Sequence, residues 1–178
     1  MIIASKLMAA RLKGFSSLIL LFLLFFLPIS KADEVTDISN RLAITDVLTQ
    51  CSYRWDGKDS LGFSLLFTED GVMERWLHGQ YVEGSRLEGR QAILDYAKQS
   101  HEGRLADRQS RHHFSGIVFL ELNTASAVTE NMALITHQTE NDAAAVIRSS
   151  GIYRNTWRKT AEGWRISKRI LMVDKFRN

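Results

Sequence analysis

Four long runs of alternating apolar and polar residues fill the second half of the sequence. They span residues 112–122, 127–139, 144–158 and 164–173, and only short polar connections separate them. A period of two predicts β-strands, and such short connections join neighbouring strands into an antiparallel meander. Long strands twist, so the sequence predicts one strongly curved, mostly antiparallel sheet.

Three helices are predicted before these four strands. In the first, over residues 33–55, the apolar residues Ile44, Leu48, Cys51 and Trp55 recur at the spacing of one helix face. A second helix, over residues 60–67, is capped by Asp59 or Ser60, and a third spans residues 88–99. A short strand pair, residues 72–77 and 81–83, lies between them. The expected fold is therefore α+β, with three N-terminal helices packed on the sheet.

The first residues have the features of a secretory signal peptide. Basic residues precede an apolar stretch over residues 15–27, and the small-residue pattern Ser30-Lys31-Ala32 follows it. The alternative is an uncleaved anchor, but the stretch is shorter than the roughly 20 residues that span a bilayer. We therefore expect cleavage after Ala32, a domain over residues 33–178, a periplasmic or secreted location and no membrane partner afterwards.

The charge of the chain excludes one class of partner once this leader is removed. The leader takes 4 of the 23 basic residues and no acidic residue, which leaves 19 basic residues against 20 acidic ones. No basic patch interleaved with aromatic residues is present, so we expect no nucleic-acid partner. Cys51 is the only cysteine, so no internal disulfide can form.

Two polar residues stand out because their positions are unfavourable without a special role. Asp56 ends the first helix, where a carboxylate is disfavoured by about 0.3–1 kcal/mol, so function explains it better than a solvated turn does. His137 shares a strand face with Ala133 and Ile135, so its ring is expected to be partly buried. Such a ring needs a partner, either an ionised carboxylate in a site or a backbone carbonyl in the core.

Several segments together resemble a known superfamily. The likeness lies in "YRWDGKDSLGFSLLFTEDG", "GRQAILDY", "RHHFSGIVFLEL" and "YRNTWRKTAEGWRISKR", and it covers nearly the whole chain after the leader. These segments resemble the SnoaL-like branch of the nuclear transport factor 2-like superfamily, an α+β cone. The superfamily contains dehydratases, isomerases and non-catalytic binding modules, so the resemblance implies the fold more specifically than the substrate. It also implies a homodimer or homotrimer.

Within this group, the scytalone dehydratase family has the most similar local motifs. Its catalytic pattern is similar to "WDGKD", "RHHFSG" and "ITHQTE", which implies catalytic roles for Asp56, His113 and His137. The hexachlorocyclohexane dehydrochlorinase family implies an Asp–His dyad at Asp56 and His113. Which histidine pairs with Asp56 stays open. His112, the neighbour of His113, is then expected on the opposite strand face in solvent.

The aromatic residues predict an apolar substrate pocket. Trp55, Trp76, Phe114 and Tyr153 are the expected ligand contacts, and the remaining aromatic residues are assigned to the core. The positions that resemble the two tyrosines of scytalone dehydratases carry Trp55 and Arg75 or Trp76. An indole donates a hydrogen bond but cannot exchange a proton as a phenol does, so we expect a substrate other than scytalone.

Metal and cofactor chemistry have no matching motif. No HxH or HxxxH spacing, no GxSxG elbow and no phosphate-binding glycine loop is present. The expected function is an exported, cofactor-independent lyase, similar to a dehydratase, or an isomerase that acts on a small hydrophobic cyclic molecule. The alternative is a non-catalytic binding or assembly module. Convergence of Asp56, His113 and His137 in one cavity favours the enzyme, and dispersal favours the module.

The relative position of the two predicted catalytic histidines depends on strand register. A three-residue turn over residues 123–125 places His113 opposite Ile135, so that His113 and His137 share the concave face of the sheet. A two-residue turn places the two rings on opposite faces. We expect the first arrangement.

Overall fold

The computed structural model describes residues 31–174. Apart from its last two positions, the predicted signal peptide lies outside the described residues, and so do residues 175–178. The chain divides into two units, residues 1–35 and 36–178, and apart from the first residues of one helix everything below concerns the second. No helix in the described range is both long and apolar enough to cross a bilayer.

In the part of the chain that the structure describes, three helices precede the four long strands, as predicted. They are α1 (Lys31–Asp56), α2 (Ser60–Ser64) and α3 (Arg90–Glu102). Between α2 and α3 lie β1 (Phe67–Leu77), β2 (Gln80–Tyr81) and β3 (Leu87–Glu88). The long strands are β4 (Gln109–Leu122), β5 (Ser126–Gln138), β6 (Val146–Thr160) and β7 (Gly163–Val173).

The second helix is shorter than predicted because the chain enters the sheet early. Asp59 caps α2 by accepting a hydrogen bond from the Gly62 amide at 2.8 Å. Phe67, which was predicted to end this helix, instead begins β1 and is fully buried. It pairs with Ile166 of β7, and the register shifts before the next pair at Val72.

The strands form one sheet in the order β2-β1-β7-β6-β5-β4, and β3 pairs with the same edge of β1 as β2 does. All pairs are antiparallel except β1 with β7. Register shifts interrupt every long ladder, and such bulges bend strands and increase their twist. The sheet is therefore the predicted strongly curved one.

The helices supply one wall of a continuous apolar core. In α1 the predicted stripe of Ile44, Leu48, Cys51 and Trp55 is buried. It packs in one cluster with side chains of α3 and the sheet, among them Ile93, Phe67, Trp157, Trp164 and Ile166. The end of α1 is thereby held over the concave face of the sheet.

The predicted register of β4 and β5 is wrong by one residue at the histidines. His112, and not His113, is paired with Ile135. The turn is one residue longer than predicted, because Leu122 pairs with Ala127 and not with Ser126. Two bulges in β4, between Ser115 and Val118 and between Phe119 and Glu121, then shift the ladder by two residues in the opposite sense, which leaves a net difference of one. Gly116 provides the left-handed backbone at the first bulge, with φ of 59°. A shift by one residue turns each side chain to the other face, so His113 and His137 lie on opposite faces.

Candidate active site

Asp56 lies buried at the C-terminus of α1, where β4 supplies three hydrogen bonds to its carboxylate. Its relative exposure is 7%. Oδ1 accepts from the Ser110 hydroxyl and lies 2.7 Å from Nδ1 of His112, and Oδ2 accepts from the His112 backbone amide, each at 2.7 Å. Gln109 also donates to the Asp56 carbonyl at 2.8 Å. The unfavourable helix-end position of Asp56 is thus offset by the first residues of β4.

The environment keeps Asp56 ionised and orients His112. Burial by itself raises the pKa of Asp56, but the hydrogen bonds and charge of His112 and the hydroxyl of Ser110 outweigh it, so this pKa is lowered. An ionised carboxylate only accepts hydrogen bonds, so the proton of His112 resides on Nδ1. In the neutral form of His112, Nε2 is left as an acceptor, which is what a general base requires.

His112 lines a cavity of about 540 Å³ between the helices and the concave face of the sheet. This volume is in the range of small-molecule sites. Most of the wall is apolar or aromatic, and includes Trp55, Phe63, Leu105, Phe114, Ile135 and Tyr153. The ring of His112 is edge-on to Trp55 and Phe114, with centroids 6.3 and 6.1 Å away. The imidazole is therefore held at one orientation beside an apolar space.

His137 lies in the same wall, as the sequence predicts for a partly buried strand histidine. Its pKa is lowered, first by burial and then by the positive charges of Arg108, Arg148 and Arg104. The ring is therefore neutral at neutral pH. The alternative in which Asp56 binds His137 is not the one observed, because the partner of Asp56 is His112.

The prediction that His113 lies in the cavity is wrong. Its side chain is exposed on the convex face, with Nε2 3.2 Å from the Thr136 hydroxyl. His112, which was assigned to solvent, has a side-chain exposure of 11% and occupies the expected place of His113. The sequence carried a signal for this. Phe114 was assigned to the pocket, and in an alternating strand His112 shares its face whereas His113 does not.

The predicted aromatic contacts are in the cavity wall, with one exception. Trp55, Phe114 and Tyr153 line the cavity, but Trp76 does not. Its indole instead donates to the carboxylate of Glu74 at 3.1 Å. Glu74 is buried and lines the cavity, and it also forms ion pairs with Arg86 and with Lys168, the latter at 3.0 Å. Trp76 therefore supports a wall residue rather than contacting the cavity itself.

Sequence reasoning missed Arg169, a buried cation in this wall. Its relative exposure is 4%, and its guanidinium carbon is 3.9 Å from the Tyr153 ring centroid and 5.5 Å from that of Phe114. Alternation from the buried Trp164 and Ile166 places Lys168, not Arg169, inside. The register of β7 changes between Ile166 and Lys168 against both of its neighbours, and this turns Arg169 inward.

Metal ligands are not grouped in this part of the chain. Within residues 31–174, no three His, Cys, Asp or Glu side chains could together hold a metal ion. Independence from metals and cofactors stays a prediction, and activity in the presence of EDTA would test it.

Comparison with known proteins supports the fold. The family model described as a SnoaL-like domain matches residues 36–170. A search of curated proteins found no significant match. An NTF2-like protein of Novosphingobium aromaticivorans with a cystatin-like fold is similar, with 20% identity and a TM-score of 0.69, covering 80% of this chain and 86% of that one.

Two further solved structures have the same fold. A protein of unknown function from Mycobacterium tuberculosis is 24% identical with a TM-score of 0.67, covering 83% of this chain and 78% of that one. A protein of Novosphingobium aromaticivorans, named as a proposed scytalone dehydratase, is 21% identical with a TM-score of 0.67. The match covers 80% of this chain and 89% of that one. At these identities the likeness concerns the fold alone.

Proposed function

The chain belongs to the SnoaL-like domain family, and on that premise we propose that it is a cofactor-independent lyase or isomerase acting on a small hydrophobic cyclic molecule. This family's fold includes dehydratases and isomerases. One observation carries the proposal: the buried pair of Asp56 and His112, joined at 2.7 Å, is beside an apolar cavity of about 540 Å³. His112 takes the role that the sequence assigned to His113.

The chemistry begins with proton abstraction from carbon. Nε2 of His112 accepts a proton from a C–H bond that a neighbouring carbonyl or leaving group activates, and the electron pair of that bond forms a carbon–carbon double bond. Asp56 holds the ring and stabilises the resulting imidazolium, as the carboxylate of a triad does. Acid–base help of this kind contributes about 10²–10⁴-fold in rate.

The proton on His112 has two possible destinations. In an elimination, the electron pair displaces a hydroxide, which takes the proton from the imidazolium and leaves as water. In an isomerisation, the π pair of the carbonyl moves onto its oxygen as the double bond forms. The imidazolium then gives the proton to a different carbon as the carbonyl re-forms. Both routes regenerate neutral His112. His137, neutral because its pKa is lowered, donates a hydrogen bond to an oxygen of the substrate rather than supplying a proton.

Deuterium exchange tests the proposal without requiring that the natural substrate be identified. The purified protein is incubated in D₂O with a panel of cyclic ketones and β-hydroxy ketones, and exchange or loss of water is followed by NMR. We expect at least one compound to exchange faster with the protein than with its His112→Ala variant. Binding without any exchange would instead favour the non-catalytic binding module, and equal rates in both proteins would refute the role of His112.

We further propose export, because the apolar stretch of residues 15–27 and the small residue Ala32 fit a cleaved leader. The expected location is periplasmic or secreted. Intact-mass measurement on the protein from its own cells should identify Asp33 as the first residue. A mass that includes residues 1–32 would contradict cleavage.

A second copy of this chain is the partner that we propose for the convex face of the sheet. Apolar side chains are exposed there on β4 and β5, including Val118, Leu120, Met132 and Leu134. Contiguous exposed apolar residues mark interaction surfaces. Light scattering should give the mass of a dimer or trimer, and Met132→Lys should shift it towards the monomer. A monomeric wild-type protein would exclude this partner.

A further inference from the structure

Arg169 is a buried cation without a compensating acid. Its Nη1 atom is buried and has no hydrogen-bond partner. In the described part of the chain, Arg169 forms no ion pair, since the two buried carboxylates are occupied elsewhere. Asp56 is bound by His112, and Glu74 by Arg86 and Lys168. A buried charge left unpaired is strongly unfavourable, so its retention requires an explanation.

The groups that touch Arg169 do not supply negative charge. Burial raises the pKa of the Cys51 thiol and of the Tyr153 phenol, and the nearby charge of Arg169 opposes this only in part. Both groups are therefore neutral. The guanidinium carbon lies 3.9 Å from the Tyr153 ring centroid, and Nη1 is the N–H group left without a partner.

A water molecule is an incomplete substitute for an anion here. Asn155 is the cross-strand partner of Arg169, and its side-chain oxygen is also buried without a hydrogen-bond partner. Water between the two would satisfy both hydrogen-bonding atoms. It would leave the positive charge uncompensated, because water carries no net charge. The remaining candidate is an anionic ligand in the cavity that Arg169 lines.

We propose that the substrate is a ring that bears a carboxylate, and that Arg169 binds this carboxylate while His112 acts on the ring. The inference rests on the proposed function, because it takes the cavity as the substrate site. Phe114 connects the two groups, with its ring centroid 6.1 Å from that of His112 and 5.5 Å from the Arg169 guanidinium carbon. The two groups are therefore at most about 12 Å apart, which a six-membered ring with one carboxylate can bridge.

A matched pair of ligands tests the charge requirement. Calorimetry at pH 7.5 compares cyclohexanecarboxylate with cyclohexanecarboxamide, which has nearly the same shape and no charge. We expect the carboxylate to bind about 10–100-fold more tightly, the effect of a hydrogen bond between charged groups. Arg169→Met should remove this preference and leave amide binding unchanged. Equal binding of both ligands to the wild-type protein would overturn the inference.

A control variant separates Arg169 from the general positive charge of the cavity. Arg148 also lines the cavity but is exposed. Arg148→Met should therefore keep the preference for the carboxylate. Loss of the preference in Arg148→Met but not in Arg169→Met would assign anion binding to the rim and contradict the proposal.

Two further measurements keep folding and catalysis apart from anion binding. Without ligand, Arg169→Met should melt at or above the temperature of the wild-type protein, because an uncompensated charge has been removed. If that variant does not fold, Arg169→Lys should still prefer the carboxylate, and loss of the preference there would count against the bidentate role. Asp56→Asn should retain the preference. A wild-type protein that prefers the carboxylate but turns over no compound would refute the proposed function and leave anion binding intact.

Discussion

Asp56 and Arg169 are both buried ionisable groups beside the cavity, but their surroundings differ. Three hydrogen bonds from β4 reach the carboxylate of Asp56, whereas Arg169 meets two aromatic rings, a thiol and an unfilled hydrogen-bond position. The carboxylate of Asp56 has its hydrogen-bond partners within the protein and orients a base. The guanidinium of Arg169 lacks a counter-ion until a ligand binds. The comparison separates residues that prepare the chemistry from residues that select the substrate.

The largest expected effect distinguishes the two adjacent histidines. His112→Ala should lower turnover by about 10²–10⁴-fold, because it removes the base that Asp56 orients. His113→Ala should change turnover by less than about twofold, since its ring is exposed on the other face. Rates are measured on any compound that exchanges in D₂O, with circular dichroism to confirm folding. A large loss of turnover in His113→Ala, together with normal turnover in His112→Ala, would assign the role of base to His113 instead.

The next largest effect is on stability, and it differs between substitutions of Asp56 and of Arg169. Asp56→Ala should lower the free energy of unfolding by about 1–3 kcal/mol, because the hydroxyl of Ser110 and the N–H groups of His112 lose their acceptor. Arg169→Met should leave it unchanged or raise it. Urea denaturation measures both. A loss of stability in Arg169→Met as large as that in Asp56→Ala would show that Arg169 is compensated within the fold.

Periodicity in the sequence was sufficient to predict most of the fold. The apolar stripe of α1 and the four alternating runs are local patterns, and the structure has both. Asp56 was identifiable because a carboxylate at a helix C-terminus contradicts a local electrostatic rule. Such features can be recognised from the segment itself, whatever its neighbours in the fold are.

Features that depend on strand partners could not be predicted in this way. The length of the turn after β4 decides which of His112 and His113 points inward, and the register change in β7 decides between Lys168 and Arg169. An inserted residue in one strand is defined only relative to its partner, so alternation within a strand does not reveal it. Gly116 was the local sign of the first bulge, because glycine inside a strand commonly marks one.

The smallest expected effect is on the pH dependence of stability, and it separates His137 from Asp56. The pKa of His137 is lowered by burial and by nearby arginines, so below its ordinary value of about 6.5 the unfolded chain binds a proton that the folded protein refuses. Stability should therefore fall as pH decreases from about 6.5 through the folded pKa of His137, by less than about 1.4 kcal/mol per pH unit. The lowered pKa of Asp56 acts in a separate window, with a loss only as pH falls below about 4.

His101 must be included in this test, because burial also lowers its pKa and its effect falls in the same window as that of His137. Urea midpoints of the wild-type protein, His137→Gln and His101→Gln are compared between pH 7.5 and 5. Each variant should show a shallower decline than the wild-type protein, while the drop below pH 4 persists in both. An unchanged slope in His137→Gln would mean that His137 is protonated as easily in the cavity as in the unfolded chain, and its assigned role as a neutral hydrogen-bond donor would then be wrong.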